Sequence, residues 1–337
     1  MEALFDKFWD DNGDRYGKAP GDTNTYTTGV ISGHNVVLAF MPGMGKGNAA
    51  AVAASFRSSF GGIKLALVVG VCGGVPYGTD DEKEILLGDV IVSDGLIRYD
   101  FGRQLPDRFV RKDTLNENLG RQNSEIRAFL TRLKGRRGRM RMREKAFDYL
   151  NALRTELGDE EVRYPGATED KLFESSYRHK HHNLQTCAIC VKCEKKEDEV
   201  CGAALNLSCS ELQCSENKLV PRRRLTSAVE AGNATKEPKP MIHYGFIASG
   251  DAVMKSGEHR DEIALREKVI AFEMEGAGVW DNFPCVVIKG VCDYADSHKN
   301  KKWQSYAAAT AAACMKAFLE AWVSADKLLP DASASGK

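Results

Sequence analysis

KLALVVGVCGG (residues 64–74) is an uninterrupted apolar run that ends in two glycines. An apolar run without alternation predicts a strand buried on both faces, as in a sheet covered by helices. Four further runs resemble it, at NVVLAFM (35–41), GDVIVSDG (88–95), HYGFIASGD (243–251) and PCVVIKGVCDYAD (284–296). Between them, helical stretches are predicted for residues 48–60, 258–268 and 303–324. The alternation of strands and helices predicts an α/β fold.

The alternation stops near residue 110 and resumes near residue 240. The intervening residues are polar and contain a basic, helix-like stretch, KGRRGRMRMREKAF (134–147), and six of the ten cysteines. We therefore predict one domain in two parts with an insertion between them. The expected boundaries are 1–110 and 241–325 for the domain, 111–240 for a partly flexible insertion, and 326–337 for a disordered tail.

Charge and composition narrow the class of protein. The sequence has 47 Lys and Arg against 47 Asp and Glu, a formal net charge of zero, whereas proteins that bind nucleic acid or membrane surfaces usually have a basic excess. No segment approaches the roughly 20 apolar residues of a membrane span, and the N-terminus does not have the pattern of a signal peptide. The four cysteines outside the cluster lie in apolar surroundings, where free thiols behave as small hydrophobic side chains. We expect a cytoplasmic protein with a small-molecule partner.

The glycine-rich stretch MPGMGKGNAA (41–50), with its Gly-Lys pair, is similar to a phosphate-binding loop. The Walker A spacing fails, because Phe40 stands where the first glycine is required and Gly47 where Ser or Thr is required. A glycine turn before a helix still directs backbone N–H groups towards a ligand. Gly45 and Lys46 are therefore candidate ligand-binding residues, and a tight turn without a ligand is the alternative.

FEMEG (272–276) places two carboxylates on either side of a methionine. In an extended segment Glu273 and Glu275 point the same way. A carboxylate that accepts two hydrogen bonds can clamp the cis-diol of a sugar. The alternative is the start of a solvated helix, where negative charge is favourable.

CDYAD (292–296) ends the most apolar strand of the chain. Ligands of α/β sheets bind at the carboxyl ends of strands. Asp293 could there be kept protonated by desolvation and act as a general acid. The alternative is that Asp293 or Asp296 caps the next helix.

Six motifs together resemble one known family. GMGKGNAA, VVGVCGG, GDVIVSDG, IASGDAVM, FEMEG and CDYAD occur in the order seen in the nucleoside phosphorylase/nucleosidase superfamily. The chain resembles the purine and uridine phosphorylase group, within it the methylthioadenosine/S-adenosylhomocysteine nucleosidases, and above all fungal domains of this family, some fused to signalling NTPases. The resemblance covers residues 24–102 and 242–323. It implies a three-layer α/β/α sandwich with a mixed central sheet, assembled as a homodimer or larger homo-oligomer.

The resemblance also implies roles for individual residues. Glu275 matches the carboxylate that grips the ribose 2′- and 3′-hydroxyls, and Asp293 matches the acid that protonates purine N7 or bonds N7 and the exocyclic amine. No cofactor is implied. The other residues expected to contact the substrate are Gly45, Lys46, Cys72, Gly73, Val253, Met254, Phe272, Glu273, Met274 and Cys292.

The implied reaction is cleavage of the N-glycosidic bond of an adenine-type nucleoside or nucleotide. Phosphorylases resemble RVGSCG at the first strand quoted above, where Arg and Ser hold phosphate; this chain has Val68 and Val71, which favours hydrolysis. Phosphorolysis is the enzymatic alternative. Family members begin with a strand ending in a glutamate that activates water; this strand is missing from the pattern and Glu2 does not match it. That departure favours a non-catalytic, nucleoside-sensing domain.

HKHHNLQTCAICVKC (179–193) opens the cysteine cluster. The C-x2-C spacing suits zinc, and Cys187 and Cys190 form the best pair for a structural ion. Because no second pair has matching spacing, reduced surface thiols in a flexible insertion are the alternative. The nearby PRRR (221–224) could reach a polyphosphate, and a solvated run of charge is its alternative.

Overall fold

The computed structural model describes residues 1–9, 16–78, 84–114, 118–183, 187–230 and 237–323. The tail expected at 326–337 and the last residue of the expected final helix, Ser324, lie outside them. The strands are β1 (Lys7–Phe8), β2 (Tyr26–Ile31), β3 (His34–Ala39), β4 (Ala66–Gly74), β5 (Val90–Arg98), β6 (Gly102–Gln104), β7 (Phe109–Arg111), β8 (Ile242–Ser249), β9 (Val269–Glu273) and β10 (Cys285–Asp293). The helices are α1 (Lys46–Ser59), α2 (Ser124–Lys134), α3 (Arg136–Leu157), α4 (Ala188–Lys192), α5 (Arg223–Glu230), α6 (Gly257–Glu267), α7 (Gly276–Trp280) and α8 (Gln304–Ala321).

A closed barrel in the order β10-β4-β9-β8-β5 forms the centre of the molecule. β10 runs parallel to β4 and antiparallel to β5, while β8 runs parallel to both β5 and β9. Its interior is built from the apolar runs of the sequence; Val286, Val287 and Ile288 are fully buried. The predicted mixed α/β fold with a mixed central sheet is confirmed, and the sheet closes on itself.

β3 does not join this barrel. The apolar run at 35–41 predicts a strand covered on both faces, but β3 pairs antiparallel with β2 in a separate sheet, β1-β2-β3. The predicted strand is present, but its residues are only partly buried or exposed, so the prediction that both of its faces are covered was wrong. Within the described residues, β4 has no strand partner along the edge away from β10 until Gly73 and Gly74 meet β9. The space between β3 and that edge is a cavity.

Helices α2 and α3 belong to the main core although they lie in the expected insertion. Leu130, Leu150 and Leu153 are buried in the same apolar cluster as the barrel strands. The ring of Phe129 packs edge-on against Phe318 of α8, with 4.9 Å between the centroids. The apolar faces of these helices therefore cover α8.

The PRRR run is neither a solvated run of charge nor a free anion site. Arg222 is 4% exposed and donates hydrogen bonds to the carbonyl oxygens of Pro76 and Ile85. Arg224 donates to the buried carboxylate of Asp89 at 2.5 and 3.1 Å. Two of the three arginines thus pair with buried acceptors, which periodicity does not reveal.

The cysteines outside the cluster behave as the sequence predicts. Cys72, Cys285, Cys292 and Cys314 are free and buried within the apolar core. Among the described residues, no helix combines the length and the apolar character that crossing a membrane requires.

Candidate functional site

A cavity of about 1160 Å³ lies between β3, the open edge of β4 and the ends of β9 and β10. Apolar residues of β3 and β4 form much of its wall, including Val36, Leu38, Val68 and Val71. It also collects most of the residues expected to bind a substrate: Cys72, Gly73, Val253, Met254, Phe272, Glu273, Met274, Glu275, Cys292 and Asp293.

Strand register explains how residues distant in sequence reach one place. Asp293 of β10 pairs with Gly73 of β4, and Gly73 pairs with Phe272 of β9, so the three form one row across the barrel. A Cβ atom at Gly73 would lie 2.8 Å from Asp293 Oδ1 and 2.9 Å from the Cβ of Ala295. Glycine is required because the Asp293 side chain passes directly over this backbone.

One oxygen of Asp293 is fully engaged. Oδ1 accepts a 2.8 Å hydrogen bond from the backbone N–H of Ala295, a non-glycine residue with φ of 52°, and lies 3.0 Å from Nζ of Lys299. The Cys292 thiol lies 3.5 Å from Oδ2. Oδ1 thus contacts both a backbone N–H and an ammonium. The expectation that Asp293 acts as a general acid stays a prediction. Asp293 does not cap the next helix, because α8 begins only at Gln304. It accepts a hydrogen bond from the nearby Ala295 backbone instead.

Glu273 holds the backbone rather than a ligand. Its carboxylate is buried and accepts hydrogen bonds from the N–H groups of Glu275 and Gly276, at 2.9 to 3.0 Å. Extended structure ends at Glu273 and α7 begins at Gly276, so the two glutamates do not share one strand face. Glu273 therefore accepts hydrogen bonds at the start of α7, but it is buried, unlike the solvated helix start that the sequence offered as the alternative. Glu273 also lines the cavity, and its contact with a substrate stays a prediction.

Glu275 pairs with a lysine that sequence reasoning missed. Nζ of Lys289 lies 2.8 Å from Glu275 Oε2 and 3.5 Å from Glu273 Oε2. Burial alone lowers the pKa of Lys289, but the two carboxylates outweigh it and raise that pKa above its ordinary value. The signal was present, since a lysine within the apolar run CVVIKGVCD needs a buried partner.

Gly45 and Lys46 do not line the cavity, contrary to the expectation for the glycine turn, although the adjacent Gly43 and Met44 do. Nζ of Lys46 lies 2.6 Å from Asp100 Oδ1, and its backbone N–H donates to Asp251 Oδ1 at 2.7 Å. The Asp251 carboxylate thus occupies the start of α1, where an anion would otherwise bind. This turn joins three segments of the protein.

Comparison with protein families identifies the domain. Residues 5–131 match the model of the family described as Phosphorylase superfamily. Over these residues the chain is similar to that superfamily. The resemblance to this superfamily is thereby confirmed, and three of the six motifs, GMGKGNAA, VVGVCGG and GDVIVSDG, lie within the matched residues.

The chain is similar to a curated protein of Hyaloscypha variabilis, a nucleotide-binding leucine-rich repeat (NLR)-like protein. The two are 34% identical over 304 residues, which is 88% of this chain and 26% of the relative. The chain thus spans about a quarter of the length of the curated relative that it matches.

Solved structures similar to this chain include two enzymes of Helicobacter pylori. One is its 5′-methylthioadenosine/S-adenosylhomocysteine nucleosidase with butyl-thio-DADMe-Immucillin-A, at 16% identity and a TM-score of 0.49, covering 91% of this chain and 89% of that one. The other is its futalosine hydrolase, at 16% identity and a TM-score of 0.47 with the same coverage. The corresponding nucleosidase of S. pneumoniae has 19% identity, a TM-score of 0.45 and coverage of 91% and 90%.

The cavity wall contains both acidic and basic side chains. Among its described wall residues, the carboxylates are Glu273, Glu275 and Asp293, and each of them contacts an ammonium or backbone N–H. Cys187 and Cys190 are not part of this wall. They lie in the insertion beside His181 and Cys201.

Proposed function

We propose that the chain cleaves the N-glycosidic bond of an adenine-type nucleoside or nucleotide. The observation that carries the proposal is that Glu275 and Asp293 line one cavity. Cleavage of this bond develops positive charge on the sugar and negative charge on the departing purine. A carboxylate at the sugar and a proton-transfer group at the base address these two charges separately.

Asp293 is proposed to act at the base. Ala295 and Lys299 hold Oδ1, which leaves Oδ2 to bond purine N7 or to pass it a proton. Because Gly73 lies directly beneath this carboxylate, a flat base can approach the barrel rim without meeting a side chain there. The contacts fix the carboxylate before a ligand binds, which lowers the cost of ordering it in the reaction.

Glu275 is proposed to grip the ribose hydroxyls. Lys289 holds Oε2 of this carboxylate at 2.8 Å, and a carboxylate can accept two hydroxyl hydrogen bonds from a cis-diol. Met274 and Phe272 supply apolar surface beside it in the cavity wall. The cavity exceeds the size typical of small-ligand sites, about 300–1000 Å³, and so leaves room for a substituent on the 5′ carbon.

Water is the proposed nucleophile. A phosphate dianion needs free cations, whereas Val68 and Val71 contribute only apolar surface to this wall. The two lysines near the carboxylates, Lys289 and Lys299, are already paired with Glu275 and Asp293. Burying phosphate without partners costs several kcal/mol.

Nucleoside binding without cleavage is a second candidate, favoured by one observation. The three described carboxylates of the wall all have partners, and none is left over to activate water. Glu2 is not a substitute, because its carboxylate accepts a hydrogen bond from Thr27 outside the cavity wall.

The deciding experiment incubates the protein with a panel of purine nucleosides and nucleotides, with and without inorganic phosphate, and measures free base by chromatography. Hydrolysis predicts base and free sugar without phosphate. Dependence on phosphate, with ribose 1-phosphate as product, would establish phosphorolysis instead. Calorimetric binding without base release would establish the sensing role.

A further inference from the structure

Eight histidine and cysteine side chains form two compact groups outside the cavity. Site A consists of His179, Cys209, Cys214 and His298, and site B of His181, Cys187, Cys190 and Cys201. In each group the four potential ligand atoms lie within 4.8 Å of one another. Site A thus offers two cysteines with two histidines, and site B offers three cysteines with one histidine. Both compositions are typical of structural zinc.

The distances in site A suit a tetrahedral ion. Zinc bonds of about 2.3 Å to sulfur and about 2.0 Å to nitrogen give tetrahedral N···S separations of about 3.6 Å. Sγ of Cys209 lies 3.5 Å from Nδ1 of His298 and 3.8 Å from Nδ1 of His179. Sγ of Cys214 lies 3.9 Å from each of the same two nitrogens.

Site B has comparable spacing. The sulfur atoms of Cys187 and Cys201 are 3.7 Å apart, too far for a disulfide bond of about 2.05 Å and close to the roughly 3.8 Å between two thiolates on one zinc ion. Nδ1 of His181 lies 3.2 Å from the Cys190 sulfur and 3.9 Å from the Cys201 sulfur. All four side chains therefore converge on one point.

Hydrogen bonds on the far side of both site A imidazoles provide an independent observation. Nε2 of His179 lies 2.9 Å from the carbonyl oxygen of Leu207, and Nε2 of His298 lies 3.1 Å from that of Tyr177. A carbonyl oxygen only accepts, so each Nε2 carries the proton and each Nδ1 presents a lone pair to the cysteines. Metal-ligating histidines are held in this way.

The segment that carries these ligands has little else to stabilise it. Its own apolar cluster consists of Cys190, Cys201, Ala204 and Leu212 with a few partly buried neighbours. Its only described α-helix before α5 is the five-residue α4. A segment with so small a core usually needs disulfides or a metal, and the cysteines here are free.

We propose that the chain holds two structural Zn²⁺ ions, one at site A and one at site B. Each set supplies four protein ligands, which leaves no open position for substrate and so marks a structural rather than a catalytic ion. Site B keeps the predicted pair Cys187 and Cys190, but the rest of the set comes from His181 and the single Cys201. Cys193, the third cysteine of the C-x2-C-x2-C run, belongs to neither group.

Site A also joins the insertion to the barrel. Three of its ligands lie in the insertion, while His298 lies in the loop between β10 and α8, next to the Lys299 that contacts Asp293. The ion at site A therefore fixes this loop from outside the cavity.

The test uses the full chain, purified under reducing conditions without chelator, and measures zinc by elemental analysis. We expect two zinc ions per chain. Apoprotein titrated with Co²⁺ should develop the absorption of tetrahedral thiolate-bound cobalt and saturate at two equivalents. One zinc ion or none, or a cobalt titration without tetrahedral bands, overturns the proposal.

Three variants assign the ions to their sites. Cys214→Ala and Cys201→Ala should each reduce the content to one zinc ion. The control Cys193→Ala, at a cysteine as buried as Cys201, should keep two. A Cys193→Ala protein that loses as much zinc as the ligand variants contradicts the assignment. If a ligand variant precipitates, the cobalt titration of the unmodified apoprotein decides.

Discussion

The Lys289 ammonium donates a 2.8 Å hydrogen bond to the Glu275 carboxylate from within the barrel wall. The lysine side chain is 4% exposed and that of Glu275 is 18% exposed, so the pair spans the boundary between core and cavity. Glu273 adds a second carboxylate at 3.5 Å. Two acids around one base leave a net negative charge where the sugar is proposed to bind.

Lys289→Met should destabilise the protein by about 3–5 kcal/mol, because it leaves two carboxylates near the core without their cation. Urea unfolding measures the change. The control is Lys302→Met, which removes a 61% exposed ammonium paired with Glu169 and should cost less than about 1 kcal/mol. Equal stability of the two variants would contradict the structural role of Lys289.

Glu275→Gln should mainly affect nucleoside binding, whereas Glu273→Gln should mainly affect stability. Glu275→Gln should weaken nucleoside binding about tenfold or more, because it removes charged acceptors for the diol. Its loss of stability should be smaller than that of Lys289→Met, because Glu273 remains 3.5 Å from the buried Lys289 ammonium. Glu273→Gln should lower the free energy of unfolding by about 1.5–3 kcal/mol, because it weakens two backbone hydrogen bonds. Calorimetry and urea unfolding separate them. A 2′,3′-dideoxy nucleoside that binds the wild type as well as its parent would refute the diol contact.

Asp293→Asn should reduce base release by at least about 100-fold and leave nucleoside binding detectable, since an amide cannot transfer the proton. Single-turnover base release and calorimetric binding are the measurements. Asp281→Asn, at an exposed aspartate after α7, is the matched control and should retain activity. Unchanged turnover in Asp293→Asn would remove this residue from the mechanism.

Gly73→Ala should impair the site through shape alone. The new methyl group would meet Asp293 Oδ1 at 2.8 Å and displace the carboxylate, at a cost of about 1–3 kcal/mol in stability. Gly62 also lines the cavity but has open space around it, so Gly62→Ala should bind and unfold like the wild type. The ligand affinity and the unfolding free energy of the two variants test this prediction. If Gly73→Ala and Gly62→Ala gave the same values, a side chain at residue 73 would be tolerated and the prediction would be wrong.

Asp89 should make folding sensitive to acid. Burial alone raises the pKa of Asp89, but the Arg224 charge and the His243 hydrogen bond outweigh it and hold that pKa well below the ordinary value of about 3.9. A carboxyl with a lower pKa in the folded state stabilises the protein above the unfolded pKa and loses this contribution as pH falls towards the folded pKa. The stability deficit of Asp89→Asn should thus be full at pH 7 and shrink from about pH 4 downwards.

Urea unfolding across this pH range tests the prediction. Asp94→Asn is the control, because Asp94 pairs with Lys134 at the partly exposed surface and should produce a small deficit at every pH. If the stability deficit of Asp89→Asn grew as the pH was lowered, the prediction would be contradicted.

Four of the five barrel strands, β4, β5, β8 and β10, could be predicted from the sequence because each is a long apolar run bounded by glycine or polar residues. The fifth, β9, has only five residues and was not predicted as a strand. β4 and β10 appear at nearly the predicted bounds. The partner of β3 could not be predicted, because apolar character requires burial but does not choose between a barrel strand and a hairpin. Likewise, the hydrophobic faces of α2 and α3 were hidden within a stretch whose average composition is polar.

The candidate site could be predicted where its residues lie at the ends of predicted strands, because neighbouring strand ends lie close together. Strand ends brought Asp293 and Gly73 together as parallel pairing requires. Contacts between distant segments were not predictable: Asp251 caps the start of α1, and Lys289 reaches Glu275 across a strand boundary. Such pairs depend on which neighbours the fold supplies, and one sequence does not encode that as a local pattern.

Phe129, in the middle of the chain, packs on Phe318 and Trp322 near its end. The apolar core of the barrel part therefore includes side chains of the middle segment. A shortened protein made by excising residues 111–240 would expose an apolar, aromatic surface to water and would be prone to aggregation. A recombination event that moved the barrel from one large protein to another would have to carry that middle segment along. The two halves of the barrel and helices α2 and α3 therefore form one apolar core.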